Sequence, residues 1–174
     1  MFVDETHVNT KPHRRYGRGP RGRRVVGRVP HGHWKTLTVV SGLRADGLVA
    51  TATLDGPMTG AVFADGVAND RVPGLRPGDV VVMDNLAAHK GRRVRELVEG
   101  AGGRVEYRPA YSPDRNPIEL AFAKLKAVLR RLAVRTVPLL VEWLGWVAHL
   151  FDPQECLNYI HHCGYAATTH SKPL

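Results

Sequence analysis

The chain has 174 residues, 43% of them hydrophobic and 7% aromatic, which is the composition of an ordinary globular protein. Its two cysteines, Cys156 and Cys163, are too few for a disulfide framework, and no apolar run has the length of a membrane span. The net charge of +9 is uneven, since residues 1–35 contain nine Lys and Arg against two acidic residues. A basic segment this dense favours a polyanionic partner, nucleic acid first, and a solvated basic tail is the alternative.

The first half of the chain predicts three strands and one helix. A short strand at 1–7 leads into a basic loop at 10–35 that is rich in Arg, Gly and Pro. Two apolar, β-branched runs at 36–43 and 48–54, joined through Asp-Gly, predict a hairpin. Residues 58–67 suit a helix. Its predicted buried side chains are Val62, Phe63 and Val67.

The second half alternates strands and helices. The predicted strands are 79–84 and 104–108, and the predicted helices are 90–99, 117–132, 137–150 and 153–163. A hairpin unit followed by alternating β and α elements is typical of an α/β fold, with a mixed sheet and helices packed on it. If the first and fourth strands are neighbours, Asp4 lies beside Asp84.

The helix at 117–132 has the clearest pattern. Asn116 is the expected N-cap, and Pro117 takes the first helical position, where a missing N–H costs nothing. One apolar stripe is formed by Ile118, Phe122, Leu125, Leu129 and Leu132. Glu119 lies about 100° around the helix from this stripe. On the side of Glu119 we expect Lys126 and Arg130, so the acid faces outward along a basic flank.

Three acids follow apolar strands or begin a helix: Asp4, Asp84 and Glu119. Cleavage of a phosphodiester uses two divalent ions about 4 Å apart, and Mg²⁺ prefers a few carboxylates with water and phosphate. An open cluster of these acids fits that chemistry. Each acid also has a structural interpretation: Glu119 in a capping box, Asp84 in a turn and Asp4 at an exposed strand end.

Four blocks of sequence, in order and at fixed spacing, resemble one known family. They are Phe-Val-Asp-Glu-Thr (2–6), Arg-Arg-Tyr-Gly-Arg-Gly-Pro-Arg-Gly (14–22), Val-Met-Asp-Asn-Leu-Ala-Ala-His-Lys (82–90) and Tyr-Ser-Pro-Asp-Arg-Asn-Pro-Ile-Glu (111–119). Thirty-four residues separate Asp84 from Glu119. The chain resembles the catalytic domain of bacterial insertion-sequence transposases of the mariner-like superfamily.

The resemblance implies a ribonuclease H-like fold, in which a mixed five-stranded sheet is flanked by helices and followed by C-terminal helices. It implies that Asp4, Asp84 and Glu119 are the catalytic acids and hold two Mg²⁺ or Mn²⁺ ions. The implied reaction is cut-and-paste transposition, with DNA strand cleavage at transposon ends and strand transfer into TA-containing target DNA. A homodimer on double-stranded DNA in the bacterial cytoplasm, associated with the nucleoid, is the implied setting.

Supporting and DNA-contacting residues are also predicted. Asn85, His89 and Asn116 support the acids; His89 either orients a carboxylate, touches DNA or is structural, and Asn116 is favoured as a cap. The predicted DNA contacts are Arg14, Arg15, Arg18, Arg21, Arg23, Arg24, Lys35, Lys126 and Arg130. Glu5 and Asp114 are given no role beyond salt bridges or turns.

We expect one catalytic domain over 1–174, with the basic loop at 10–35 and a C-terminal helical extension at 136–174. The family's N-terminal helix-turn-helix region is absent from the sequence, so a separate DNA-binding chain is one expected partner. Two alternatives stay open. One is a catalytically inactive DNA-binding remnant, and the other is a ribonuclease H-like nuclease acting on RNA–DNA hybrids.

Overall fold

The computed structural model describes residues 1–14, 16–109 and 112–166. Five strands form one sheet: β1 (Phe2–Asn9), β2 (Thr36–Arg44), β3 (Gly47–Leu54), β4 (Val80–Met83) and β5 (Arg104–Tyr107). The order across the sheet is β3-β2-β1-β4-β5. The first three strands are antiparallel, whereas β4 runs parallel to β1 and β5 runs parallel to β4. The predicted mixed sheet is confirmed. The first and fourth strands are neighbours, which is the condition under which Asp4 lies beside Asp84.

Five α-helices accompany the sheet in the described ranges. They are α1 (Gly60–Gly66), α2 (Arg92–Gly100), α3 (Pro117–Leu132), α4 (Val137–Val147) and α5 (Pro153–His162). The predicted order of strands and helices is therefore confirmed. No helix in this part of the chain is long and apolar enough to cross a membrane.

Helix α1 begins later than predicted and presents a different face to the core. Thr59 is its N-cap, and the Thr59 side chain accepts a hydrogen bond from the Val62 amide. Phe63 and Ala64 of the helix are buried, as is Val67 directly after it, whereas Val62 is 37% exposed. The prediction that Val62 is buried is wrong. Val62 lies about 100° around the helix axis from Phe63, which places it outside the apolar face of the helix.

Helix α3 has the predicted bounds, and it covers one face of the sheet. Ile118, Phe122 and Leu125 are fully buried, and Leu129 is 3% exposed. Leu132, the last member of the predicted stripe, is 39% exposed because the helix ends there. Ala133 adopts a left-handed conformation with φ of 52°, which turns the chain away from the helix axis.

Alternation along β1 directs its side chains into two separate cores. Phe2 and Val8 belong to the core beneath α3, α4 and α5, whereas Val3 belongs to the core that contains Phe63 of α1. The acids that follow obey the same alternation: Asp4 points to the α3 side and Glu5 to the α1 side. The strand thus delivers two carboxylates to opposite faces of one sheet.

The basic loop, residues 10–35, leaves the sheet between β1 and β2. Its ends are joined, because the Thr10 amide donates to the Lys35 carbonyl over 3.0 Å and the Lys35 amide donates to Thr10 Oγ1 over 3.1 Å. Between these ends the described residues form no helix or strand, as predicted. The loop therefore leaves and rejoins the sheet at one hydrogen-bonded pair, Thr10 and Lys35, which we call the closed stem.

Candidate active site

The strand register brings the first two acids to one edge of the sheet. In the parallel pair of β1 and β4, Phe2 lies opposite Val82. Two residues further along each strand, Asp4 is level with Asp84. On the other side of β4, Met83 lies opposite Tyr107, so the next residue, Arg108, is level with Asp84. Together with Glu119 of α3, Asp4 and Asp84 form what we call the acidic edge.

Asp4 is buried within this edge and held at both oxygens. Its side chain accepts a hydrogen bond from the Glu5 amide at Oδ1 over 2.8 Å. At Oδ2 it accepts one from Asn116 Nδ2 over 2.5 Å, and the Arg108 guanidinium lies 3.5 Å away. Each carboxylate oxygen has two lone pairs, so Asp4 still has acceptor capacity for a further ligand.

Burial raises the pKa of Asp4 to about 6, against an ordinary value of 3.8. The negative charges of Asp84, Glu5 and Glu119 push it in the same direction, whereas the hydrogen bond from the Glu5 amide opposes the rise. The three acids of the acidic edge are thus close enough for their charges to interact. Such an arrangement favours the binding of a positive charge or a proton.

Asn116 contacts an acid, as one of its two predicted roles requires, but it does not cap the helix. It occupies the N-cap position of α3, but its side chain makes no capping hydrogen bond. Pro117 follows at the first helical position and has no N–H to satisfy. The Asn116 amide turns instead to Asp4, which is 112 positions away in the sequence. The expected side-chain cap is wrong, and the support of an acid is the contact that is present.

Asp84 and His89 form a second buried contact. His89 is fully buried, with its Nδ1 against Asp84 Oδ1 and its Nε2 2.8 Å from Glu5 Oε2. The Phe63 ring packs against the imidazole with 4.2 Å between centroids. Burial by itself lowers the pKa of His89, but the hydrogen bond and charge of Glu5 and the charge of Asp84 outweigh it and leave the pKa raised. Of the three roles considered for His89, the structure favours orientation of a carboxylate.

Glu119 and Asn85 are more open. Glu119 is exposed on the first turn of α3, and its amide donates to the Asn116 carbonyl over 3.1 Å. Within the described residues its carboxylate makes no hydrogen bond, so the capping box is absent. Asn85 is also exposed, and its side chain has no hydrogen bond to any described residue.

The acidic edge is not a closed cage. Among the described residues, no three His, Cys, Asp or Glu side chains are close enough to hold a metal ion by themselves. Two cavities, of about 550 Å³ and about 300 Å³, lie elsewhere, and none of the three acids lines either of them. The arrangement is therefore open to solvent and to a large ligand.

The predicted DNA-contacting side chains fall into two groups. The loop arginines Arg14, Arg18, Arg21, Arg23 and Arg24 are exposed, and none of their side chains pairs with any described residue. Lys35, at the end of the loop, is exposed as well, whereas Lys126 and Arg130 are half-buried on α3. Arg15 lies outside the described residues.

Two residues beside the acids were missed in the sequence. Arg108 could have been found, because it follows β5 at the same position at which Asp84 follows the parallel strand β4. Glu5 could not, because alternation directs it away from Asp4. Its contact with His89 depends on where the turn after β4 folds.

Comparisons with known proteins agree with this geometry. Residues 1–139 match the protein family described as DDE superfamily endonuclease. The fold resembles that of the Mos1 transposase paired-end complex with left transposon end, with a TM-score of 0.69 and 19% identity, covering 93% of this chain and 51% of that one. It also resembles the catalytic domain of Mos1 mariner transposase, with a TM-score of 0.63 and 18% identity, covering 93% and 76%. A comparison with curated proteins gave no match.

The family match covers the whole acidic edge, from Asp4 to Glu119. The structural likeness shows the ribonuclease H-like fold that the resemblance predicted. This chain spans about half the length of the transposase chains in the Mos1–DNA complexes. With the family match extending over most of its residues, the chain belongs to the DDE superfamily endonuclease family.

Proposed function

We propose that this chain is the catalytic domain of a DDE transposase, which cleaves DNA strands and transfers them to a target. The observation that carries the proposal is the parallel register of β1 and β4, which sets Asp4 beside Asp84, with Glu119 near enough to raise the pKa of Asp4. The family match, over residues 1–139, includes all three acids.

The residues fit a divalent cation. The donors of the acidic edge are all carboxylate oxygens, which suit Mg²⁺ and Mn²⁺. Burial, followed by the negative charges of Asp84, Glu5 and Glu119, raises the pKa of Asp4, and those neighbouring charges are ones that a bound cation would offset. Solved Mos1 paired-end complexes are described with Mn and with Mg. We assign Asp4, Asp84 and Glu119 as ligands of two such ions, which would supply the activation of the attacking oxygen and the stabilisation of the leaving oxygen.

The protein's own part in this chemistry is to hold the carboxylates. Asn116 and Arg108 both approach the same oxygen of Asp4, and both are buried. Asp84 Oδ1 accepts from the Leu86 amide over 3.1 Å as well as contacting His89. Glu119 stays exposed on a helix flank that also carries Lys126 and Arg130, so a phosphate backbone meets both signs of charge there.

Double-stranded DNA is the proposed partner. The loop arginines Arg14, Arg18, Arg21, Arg23 and Arg24 are exposed and pair with no described residue, so they are available to phosphates, and their guanidinium groups suit bidentate contact with phosphate oxygens. One Mos1 structure is described as a complex with the left transposon end and another as a strand transfer complex. We extend this to transposon ends and a TA-containing target for the present chain.

A homodimer on DNA is part of the proposal, because two transposon ends must be held together. Helix α4 supports it: Leu140 and Leu144 are buried in the core, whereas Leu139, Trp143 and Trp146 are exposed on the outside. We also propose that end recognition involves a further DNA-binding region, on the same or a separate chain, and that the protein acts on DNA in the bacterial cytoplasm, at the nucleoid.

Nicking of supercoiled plasmid at low salt tests the proposal. Wild type is compared with Asp84→Asn in Mg²⁺, in Mn²⁺ and in EDTA. The matched control is Asp46→Asn, because Asp46 is an exposed acid at the tip of the β2–β3 hairpin. We expect nicking by wild type and the control in either metal, none in EDTA, and a loss of about a thousandfold in Asp84→Asn.

Other outcomes would contradict the proposal in distinct ways. Preferential cleavage of an RNA–DNA hybrid over duplex DNA would indicate a ribonuclease H-like nuclease. Tight DNA binding by a folded wild type that nicks nothing, even after a DNA-binding region is added in trans, would indicate an inactive remnant.

A further inference from the structure

We propose that Glu5 is a positioning residue for Asp84, acting through the imidazole of His89. The inference rests on the proposed role of Asp84 as a metal ligand. Neither the family match nor the likeness to Mos1 assigns any role to Glu5. The sequence alone suggests only a salt bridge for it.

The contact crosses from one face of the sheet to the other. Asp4 and Glu5 are consecutive on β1, so their side chains project to opposite faces. Glu5 projects to the α1 side, where its carboxylate meets His89 Nε2 over 2.8 Å. The other ring nitrogen of His89 reaches Asp84, which lies level with Asp4 at the end of β4. Strand β1 thus contributes Asp4 to the acidic edge from one face of the sheet, and from the other face it contacts Asp84 through Glu5 and His89.

The imidazole has little freedom in this position. It is fully buried, and Phe63 packs against the ring with 4.2 Å between centroids. The Tyr107 hydroxyl donates to the His89 carbonyl over 3.1 Å, which also fixes the backbone. Each ring nitrogen faces one acid, Nε2 towards Glu5 and Nδ1 towards Asp84, so the two carboxylates hold the ring between them. Glu5 therefore determines which way the ring faces.

The consequence for Asp84 is that its two oxygens become inequivalent. Oδ1 is engaged by His89 Nδ1 and by the Leu86 amide. Oδ2 has no hydrogen bond to any described residue, and the side chain is 26% exposed. The oxygen left for a cation is thus chosen by the imidazole. Partners of this kind, behind a ligating side chain, typically contribute about tenfold to a hundredfold in metal affinity or activity.

The competing explanation is that Glu5 acts only through its negative charge and does not position the imidazole. Two substitutions of Glu5 distinguish the two explanations. Glu5→Gln keeps the length of the side chain and loses the charge, and its amide can accept from or donate to the imidazole. Glu5→Asp keeps the charge and withdraws it by one methylene. His7→Ala is the matched control, because His7 is exposed and lies on the same strand and the same face, two residues further on.

Binding of Mn²⁺ measured by isothermal titration calorimetry is the primary test, on the full chain, with thermal unfolding to verify that each variant folds. We expect Glu5→Asp to lose about tenfold or more in Mn²⁺ affinity, while Glu5→Gln stays close to wild type. His7→Ala should bind as wild type does. In plasmid nicking, Glu5→Asp should need more Mn²⁺ for half-maximal rate, with unchanged affinity for DNA.

Equal Mn²⁺ affinity in Glu5→Asp and wild type would overturn the inference. So would the reverse order, with Glu5→Gln weaker than Glu5→Asp, because that order indicates charge compensation. A wild type that binds Mn²⁺ with the expected order among the variants but nicks no DNA would overturn the proposed function and leave the positioning role standing. A wild type that binds no Mn²⁺ would overturn both.

Discussion

The acidic edge and the basic loop are both clusters of like charge, yet the fold treats them in opposite ways. The buried acid Asp4 has partners at both of its oxygens, and Asp84 is held through a buried imidazole. The loop arginines are exposed, and their side chains have no partner among the described residues. Charged side chains are therefore held in place by the fold in one region and left free in the other.

This difference separates two roles that charged residues play. Fixed, partly dehydrated carboxylates offer a ligand a precise geometry but lower the stability of the folded state, because burying like charges together is unfavourable. Free arginines contribute affinity for a polyanion without affecting the folded state. Substitutions of Asp4 and Asp84 should therefore change stability and chemistry together, whereas substitutions in the loop should change DNA binding alone.

The largest expected effect on stability is that of Arg108→Ala. Arg108 and Asp4 lie 3.5 Å apart with side chains that are 7% and 9% exposed. Removal of one partner leaves the other buried without compensation, so we expect the free energy of unfolding to fall by about 3–5 kcal/mol at pH 7.5. Urea denaturation measures it. Arg115→Ala, at an exposed arginine, is the control, and equal losses in both variants would contradict the importance of the buried pair.

The next effect is a dependence of stability on pH in the metal-free protein. Because the pKa of Asp4 is raised from 3.8 to about 6, the folded state holds this proton more tightly than the unfolded state does. The free energy of unfolding should fall as pH rises from about 4 to 6, by at most about 3 kcal/mol.

Denaturation in EDTA across this range, for wild type and Asp4→Asn, isolates the contribution of Asp4 from those of other carboxyl groups. The loss should be smaller in the variant, and Mg²⁺ should restore stability to wild type above pH 6. The raised pKa of His89 gives a second fall, which begins above its ordinary value of 6.5. Parallel curves for the two proteins between pH 4 and 6 would refute the assignment to Asp4.

A smaller effect is expected for Asn116→Ala. The substitution removes a donor to a buried carboxylate, so about 1–3 kcal/mol of stability should be lost. Asn85→Ala removes an exposed amide without a hydrogen bond to the described residues and should change stability by less than about 0.5 kcal/mol. Were the two asparagines to behave alike, the contact between Asn116 and Asp4 would have no energetic role.

The smallest effect on stability belongs to the basic loop. Arg14→Ala with Arg18→Ala should leave the free energy of unfolding within about 0.5 kcal/mol of wild type. It should weaken DNA binding and flatten the plot of log K against log salt by about 1.8, or about 0.9 for each phosphate that is no longer neutralised. Arg92→Ala with Arg95→Ala is the matched control, since these arginines pair with acids on α2. An unchanged slope in the loop variant would exclude the loop from phosphate binding.

The backbone of the acidic edge was predictable, because local patterns determine it. An apolar run ending in Asp84 predicts a strand buried on both faces. The strand is present, but Val80 and Val82 on one of its faces are only half-buried. The bounds of α3 follow from Pro117 and the apolar stripe. The sequence left the adjacency of β1 and β4 as a condition, and the fold meets it. The orientations of the side chains were harder to predict from the sequence. Asn116 occupies the cap position that its sequence context predicts, yet its amide bonds to a residue that only the folded chain brings near.

Glu5 illustrates the same limit more sharply. Alternation along β1 correctly sends it away from Asp4, which makes it look unrelated to the site. Only the turn after β4, where His89 enters the core beside Phe63, connects it to Asp84. Sequence patterns report which face of a strand a residue occupies, but not what another part of the chain places beneath that face.

The closed stem at Thr10 and Lys35 has a consequence for how this protein changes over time. Because the two strands remain paired from Asn9 opposite Thr36 onward, everything beyond the stem can be lengthened, shortened or rewritten without moving Asp4. The loop proposed to bind DNA and the acids proposed to perform the chemistry can therefore evolve at different rates. A lineage could adapt to new DNA ends by altering the loop, while the three acids are inherited unchanged.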